Sequence, residues 1–217
     1  MSRKVTHHLP PAMLAQYAAG RLSYAFSVLA AAHVSLCRDC RDQLAAHEAA
    51  AGLLLEEAAP AAVSEDLLPR LLARLEEPAA PQDRQVEDGA RPSGIYPGPV
   101  MMALKGRPPR WWHLGSGIRQ ALLHHGPGGS LRLLSVPAGR PVPRHTHRGT
   151  EFTLVLQGGF HDETGHFSVG DVEVADARLE HTPTADPGEA CICLAATDAP
   201  LRFSGIVPRL LQPLFRI

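Results

Sequence analysis

Residues 139–158 read GRPVPRHTHRGTEFTLVLQG, and this stretch decides how the second half of the chain folds. His145 and His147 are separated by one residue, and Glu151 follows four residues later. Successive side chains of a strand point to opposite faces, so His145 and His147 point to the same side. The turn at Gly149 lets Glu151 join them. The stretch therefore predicts a metal site on a turn and a strand.

A fourth candidate ligand lies further along the chain. His181 follows Gly170 and the strand-like Val172, Glu173 and Val174, as expected for a strand that returns across a small barrel. Three imidazoles and one carboxylate suit zinc, iron, manganese, nickel or copper, so the ligand types do not choose the metal. The predicted set is His145, His147, Glu151 and His181.

The segment from about residue 100 to the end resembles a cupin, a jelly-roll barrel of β-strands. Residues 139–158 match the first cupin motif in full, and His181 remains from the second motif. Asp176 and Arg178 stand where the usual Pro and Gly of that second motif would be. The resemblance implies a bound metal, and the alternative is a barrel that has lost it.

The first part of the chain has a helical pattern instead. Residues 10–77 are rich in Ala and Leu with a spacing near 3.6. They predict a short helix that ends at Gly20, a longer one from Ser23 toward Cys37, and a third from about Cys40 to Glu57. A fourth helix carries one apolar stripe of leucines, with Pro69 in its first turn. The stripe comprises Leu67, Leu68, Leu71, Leu72 and Leu75.

A second metal site is predicted in this helical part. His33, Cys37 and Cys40 follow one another at i, i+4 and i+7, so a helix and the turn at its end bring them to one side. Structural zinc takes four ligands, and His8 is placed to supply the last, with His7 as the alternative. A redox CxxC or accidental clustering are the competing interpretations, but the βαβ pattern of the redox motif is absent. Such a zinc would stabilise a small domain.

Charge and apolar patterning exclude several protein classes. The 217 residues include 21 Lys and Arg against 22 Asp and Glu, so direct nucleic-acid binding, including a DNA-binding thiol sensor, is disfavoured. The uncharged residues 22–37 are fewer than the about 20 that a membrane span needs. Pro10 and Pro11 argue against a signal peptide. The four cysteines fall in two close pairs rather than a disulfide framework, which favours the cytoplasm.

Composition also divides the chain. The Pro- and Gly-rich residues 78–99 predict a linker between a helical domain at 1–77 and a barrel at 100–217. Residues 48–88 hold 10 acidic and 3 basic side chains, which is either a solvated helix face or an acidic surface for a basic partner.

Together, the two ligand sets resemble those of the ChrR-type zinc-dependent anti-sigma factors, over nearly the whole chain. In that family an N-terminal zinc domain holds an extracytoplasmic-function (group IV) sigma factor inactive, and a cupin domain is needed for release on singlet oxygen or related oxidative stress. The resemblance implies a cytoplasmic transcriptional regulator in a 1:1 sigma complex, not an enzyme. It implies zinc in the first domain and zinc or another divalent metal in the second. We therefore expect an α+β chain: a small all-α bundle, then an all-β cupin barrel.

Two roles follow as hypotheses from this resemblance. The leucine stripe of residues 67–75 is the candidate sigma-binding surface, and the alternative is that it is plain core. Cys191 and Cys193 alternate on a strand and match the CxC cysteines of the family's cupin, so they are candidate redox-sensitive residues or else small buried core residues. Oxidation of Cys37 and Cys40 with zinc loss is the reverse assignment.

A cupin metalloenzyme remains the competing class. A dioxygenase, hydrolase or isomerase could use His145, His147, Glu151 and His181 around its metal, with the helical part as an accessory. An accessory helical domain has no need of a zinc site, however, and this weakens the enzyme interpretation.

Overall fold

Helices occupy the first part of the chain, and strands occupy the second. The structure is a computed structural model that describes residues 4–77 and 93–203, the last three as backbone only. Residues 78–92 of the predicted linker lie outside the described residues, so its bounds stay a prediction. The helices are α1 (Pro11–Ala18), α2 (Tyr24–Leu36), α3 (Arg38–Glu56), α4 (Leu67–Glu76) and α5 (Gly98–Ala103).

Local sequence explains where these helices begin and end. Pro11 opens α1, where its missing N–H costs nothing, and Gly20 follows the helix with a left-handed φ of 64°. Cys37 has an extended backbone that ends α2 and begins α3, and its Sγ accepts a hydrogen bond from the Cys40 amide at 3.5 Å. Ser23 stands at the N-cap of α2 as predicted, but its side chain makes no capping hydrogen bond.

The second part is built from antiparallel strands. They are β1 (Trp112–Gly115), β2 (Ile118–Gly126), β3 (Gly129–Val136), β4 (His145–His147), β5 (Glu151–Gln157), β6 (Gly159–His161), β7 (His166–Ser168), β8 (Val172–Ala175), β9 (Glu180–His181), β10 (Thr184–Ala185), β11 (Cys191–Thr197) and β12 (Leu201–Phe203). They form one six-stranded sheet in the order β1-β2-β3-β11-β5-β8 and two three-stranded sheets, β10-β6-β7 and β12-β4-β9. Helices followed by an all-β part is the predicted arrangement.

The six-stranded sheet has two buried faces. One face packs against α2, and its side chains share a core with the helices, in which Leu29, Leu133 and Leu194 are fully buried. The ring of Phe26 on α2 meets Phe152 on β5 edge to face, with centroids 5.6 Å apart. The helical part and the barrel are thus joined by one continuous apolar core.

The other face of the sheet looks into the barrel. The lower half of this interior is apolar and holds Val155, Cys191 and Cys193 from the sheet together with Phe160 and Phe167 from β6 and β7. The upper half holds the side chains that the sequence singled out as ligands: Glu151 is on β5 of this sheet, and the three histidines are on β4 and β9. Because β-strand side chains alternate, the same strands supply both this interior and the core under α2.

Candidate metal centres

The four predicted ligands of the helical part meet at one point. Their ligand atoms, those of His8, His33, Cys37 and Cys40, all lie within 4.8 Å of one another. Nε2 of His33 lies 3.2 Å from Sγ of Cys40, and Nδ1 of His8 lies 3.2 Å from Sγ of Cys37. Three of these residues are buried, and His8 is partly exposed.

Each ligand of this N-terminal cluster is placed by a helix end. His33 lies in the last turn of α2, Cys37 caps α3, and Cys40 follows in its first turn. His8 lies just before α1 and reaches the cluster from the N-terminal arm. The ring of His7 points elsewhere and packs against Phe167, with centroids 4.5 Å apart. The geometry therefore places His8, rather than His7, at the cluster.

Burial keeps His33 and Cys40 neutral in the metal-free chain. It lowers the pKa of His33 to about 4, and it raises the pKa of Cys40 to about 11. Nδ1 of His33 donates to the carbonyl of Gly170 at 2.9 Å, which leaves Nε2 to face the cluster. Two sulfurs and two imidazole nitrogens in this arrangement match the Cys₂His₂ set of structural zinc sites.

Three histidines of the barrel form the second cluster. Nε2 of His181 lies 3.1 Å from Nε2 of His147 and 3.2 Å from Nε2 of His145, and all three side chains are buried. The register of β4 and β9 sets His145 directly opposite His181. Burial lowers the pKa of His145 to about 4 and that of His147 to about 3, with the other histidines adding repulsion.

Glu151 lies beside this trio at the start of β5. Its Oε2 is 4.0 Å from Nδ1 of His147, and its Oε1 accepts from the Thr153 hydroxyl at 3.2 Å. Nδ1 of His147 is buried without a hydrogen-bond partner among the described residues. Burial raises the pKa of Glu151, and the charge of Arg132 opposes this shift. Its role as fourth ligand stays a prediction.

Two carboxyl groups behind His181 were not predicted. Nδ1 of His181 lies 2.7 Å from Oδ2 of Asp162 and 3.2 Å from Oε1 of Glu173. Burial lowers the pKa of His181, but the hydrogen bonds and charges of Glu173 and Asp162 outweigh it and raise the pKa to about 9. Burial raises the pKa of Glu173 to about 8, while hydrogen bonds keep that of Asp162 below its usual range. The only signal in the sequence was an acidic residue between Val172 and Val174.

Comparison with known proteins shows the family to which this chain belongs. Residues 102–200 match a family model described as the ChrR cupin-like domain. The anti-sigma-E factor ChrR of Cereibacter sphaeroides is 49% identical over 216 residues, covering 98% of this chain and 99% of that protein. The chain belongs to the ChrR family of anti-sigma factors.

A solved structure of an anti-sigma complex agrees with this membership. The crystal structure of Rhodobacter sphaeroides SigE in complex with the anti-sigma ChrR matches at a TM-score of 0.74 and 47% identity, covering 90% of this chain and all 100% of that chain. An RmlC-like cupin from Ralstonia eutropha JMP134 matches at a TM-score of 0.41 and 22% identity, covering 46% of this chain and 69% of that chain. The predicted resemblance to ChrR and the predicted α+β fold with a cupin are confirmed.

Cys191 and Cys193 point to the same side of β11, as the alternation of a strand predicts. Both are buried in the apolar lower half of the barrel, and their Sγ atoms lie 3.4 Å apart. The pKa of Cys193 is raised by its hydrogen bond to Cys191 and by burial. The cysteines are therefore small buried residues with adjacent thiols, and their redox sensitivity stays a prediction.

The leucine stripe lies on α4 and is open to solvent. None of the residues of this helix is buried, and Leu68 and Leu75 are 65% and 81% exposed. Leu67 is partly buried, and Leu71 and Leu72 are exposed. The interpretation of the stripe as core therefore does not hold.

Among the helices of the described residues, none is long and apolar enough to cross a membrane.

Proposed function

We propose that this chain binds an extracytoplasmic-function (group IV) sigma factor in a 1:1 complex and holds it inactive in the cytoplasm. The observation that carries the proposal is the 49% identity to an anti-sigma-E factor over 98% of the chain. The likeness to the ChrR chain of a SigE complex, at a TM-score of 0.74, supports the same partner class. Regulation by binding requires no catalytic residue, and we assign none.

The sigma-binding surface is formed by exposed leucines. Leu53, Leu54 and Leu55 at the end of α3 are exposed, like the stripe on α4. Monomeric proteins seldom leave so many large apolar side chains in water, and such patches mark protein interfaces. An amphipathic helix that lays its apolar face into a groove of the partner is a common recognition mode. The surface thus comprises Leu53, Leu54, Leu55, Leu67, Leu68, Leu71, Leu72 and Leu75.

Acidic residues are frequent in the same part of the sequence as these leucines. Residues 48–88 carry 10 acidic side chains against 3 basic ones. Complementary charge raises the association rate and suppresses wrong partners more than it adds affinity. The surface is therefore suited to a partner with a basic rim around an apolar groove.

The two clusters hold metal ions with different roles. His8, His33, Cys37 and Cys40 bind a structural zinc that ties the N-terminal arm to α2 and α3. His145, His147 and His181, with Glu151 beside them, hold zinc or another divalent metal in the barrel. Such an ion supplies a positive centre that polarises small molecules reaching it.

Release of the sigma factor follows oxidation in the barrel. Cys191 and Cys193 are the candidate targets because their sulfurs are adjacent, so that loss of two electrons and two protons to the oxidant joins them without a large movement. The change is transmitted to the helical part through the core that α2 shares with the six-stranded sheet. Singlet oxygen is the oxidant expected from the family resemblance.

Binding is tested by affinity capture with the full chain as bait in lysate of the source organism. We expect mass spectrometry to identify an alternative sigma factor. Leu71→Gln with Leu75→Gln should reduce capture at least tenfold while zinc content is unchanged. Val174→Gln, an exposed apolar position on β8, is the matched control. Equal capture by both variants would remove α4 from the interface, and no sigma factor with the folded wild type would overturn the proposal.

Release is tested in sigma-dependent transcription under singlet oxygen. The full-length Cys191→Ser, Cys193→Ser variant should still inhibit but should no longer respond. Retained induction in that variant would exclude the two barrel cysteines as the sensor.

A further inference from the structure

One turn of the barrel touches both metal clusters. Residues 168–173 join β7 to β8 and lie between the N-terminal arm and the barrel interior. Backbone and side-chain groups of this turn contact the arm beside His8, the ring of His33 and the ring of His181.

Asp171 is the centre of this turn. Its side chain is 1% exposed, and its carboxylate accepts five hydrogen bonds. Oδ1 accepts from the Thr6 amide at 2.7 Å, the His7 amide at 2.9 Å and the Thr6 hydroxyl at 3.2 Å. Oδ2 accepts from the amide and the hydroxyl of Ser168, both at 2.9 Å. One carboxylate thus clamps the N-terminal arm to the turn.

The neighbours of Asp171 complete the clamp. The Val172 amide donates to the carbonyl of His7 at 3.1 Å, so both the amide and the carbonyl of His7 are hydrogen-bonded to the turn. His8, the next residue, is a ligand of the N-terminal cluster. The carbonyl of Gly170 accepts from Nδ1 of His33 at 2.9 Å, which fixes that ring with Nε2 toward the sulfurs. Two of the four N-terminal ligands therefore take their positions from the barrel.

The same turn continues into the second cluster. Glu173 follows Val172 on β8 and places its carboxyl 3.2 Å from Nδ1 of His181. The orientation of His181 is thereby linked, through the four consecutive residues 170–173, to the backbone that holds His7 and His33. The two clusters share a support, although their own ligands come from distant parts of the chain.

We propose that Asp171 is a positioning residue for the N-terminal metal site and that the turn at 168–173 couples the two metal sites. Metal in the barrel then raises the metal affinity of the N-terminal site, and by linkage the reverse holds by the same factor. The inference rests on the metal sites of the proposed function. It adds that the barrel holds two ligands of the N-terminal site in position.

The test uses cobalt(II) as a probe in the full chain. Only the N-terminal cluster contains sulfur, so thiolate-to-cobalt charge-transfer absorption reports that site alone. Competition with a chelator gives its affinity. Asp171→Asn replaces one accepting oxygen by an NH₂ group that faces backbone donors, so we expect at least a tenfold loss of affinity. Asp186→Asn, a partly buried carboxylate of the same barrel that pairs with His161 and His166, is the matched control and should change little.

A second variant acts on the arm and leaves both cores intact. Thr6→Pro removes the amide and the hydroxyl that donate to Asp171, and Lys4→Pro, at an exposed position, is its control. The same loss of cobalt affinity is expected for Thr6→Pro even if Asp171→Asn does not fold. Unchanged affinity in Thr6→Pro or in a folded Asp171→Asn would overturn the positioning role.

Coupling is measured by emptying the barrel site. His145→Ala should weaken cobalt binding at the sulfur site several-fold in the wild-type background and have no further effect in the Thr6→Pro background. Equal sulfur-site affinity with the barrel loaded and empty would overturn the coupling. A chain that binds no metal in the barrel, shown by metal content, would instead contradict the metal assignment of the proposed function.

Discussion

The sulfur atoms of Cys191 and Cys193 lie 3.4 Å apart inside the barrel, on the face of β11 that looks away from α2. We predict that singlet oxygen from an illuminated photosensitiser removes two hydrogens from the peptide that contains both cysteines. Mass spectrometry should show a loss of 2 Da. Cys193→Ser is the control and cannot form this bond. Oxidation confined to Cys37 and Cys40 would support zinc loss as the trigger instead.

The exposed leucines of α4 should be dispensable for folding. Leu71→Gln with Leu75→Gln is expected to change the free energy of unfolding by no more than about 0.5 kcal/mol, since neither side chain is buried. Leu29→Ala, at a fully buried position under the six-stranded sheet, should cost roughly 2 to 5 kcal/mol. Urea unfolding of the zinc-loaded chain measures both. A large loss in the α4 variant would show that this helix packs within the chain.

The metal-free chain should lose stability as the pH falls from 6.5 to 4. His33 and His145 stay neutral down to about pH 4 and His147 to about pH 3, whereas unfolded histidine takes up a proton near 6.5. Unfolding therefore takes up three protons in this window. Burial raises the pKa of Glu173 to about 8, so Glu173 is protonated in the folded chain and releases this proton on unfolding above pH 4.5. The release offsets one of the three protons that the histidines take up.

Burial raises the pKa of Glu151 as well, which adds to this offset, so the net uptake of about one to two protons corresponds to roughly 1.4 to 2.7 kcal/mol of unfolding free energy per pH unit. His181 is charged in both states below pH 6.5 and does not contribute. Urea midpoints of the chelator-treated chain at several pH values give the slope. A free energy of unfolding that is constant between pH 6.5 and 4.5 would contradict the neutral, buried state of the three histidines.

Metal binding in the barrel should release a proton at pH 7. The pKa of His181 is raised to about 9 by Glu173 and Asp162, so its ring is charged until a metal takes the place of the proton on Nε2. Calorimetric titration of the second metal equivalent, after zinc has filled the N-terminal site, should give heats that depend on the ionisation enthalpy of the buffer. Asp162→Asn removes the carboxylate that stays ionised beside His181, and it should reduce the released fraction. Buffer-independent heats in the wild type would refute a charged His181.

Local sequence patterns were sufficient to predict the helices and most of the candidate metal ligands. His33, Cys37 and Cys40 are close in sequence, and a helix end brings them together without help from distant residues. His145 and His147 needed only the alternation of a strand. The ligand sets also belong to a recognisable family, which supplied the partner class that no physical pattern in the sequence contains.

Residues that act through the tertiary fold were not predictable in this way. Asp162 lies in the turn between β6 and β7 and meets His181 only because this turn lies beside the end of β9, where the Thr182 amide donates to Glu163. Asp171 clamps an arm that is more than 160 residues away in the chain. Neither has a local partner that the sequence reveals. The packing of α2 on the sheet likewise depends on which face of each strand is left uncovered.

The exposed leucines of α4 limit the concentration of unbound chain that a cell can tolerate. A chain with Leu68 and Leu75 more than half exposed will bind other copies of itself, or bind chaperones, whenever no partner covers that surface. Its safe concentration is therefore set by the supply of its partner. We expect the two proteins to be made in matched amounts, and surplus chain to be removed by proteolysis.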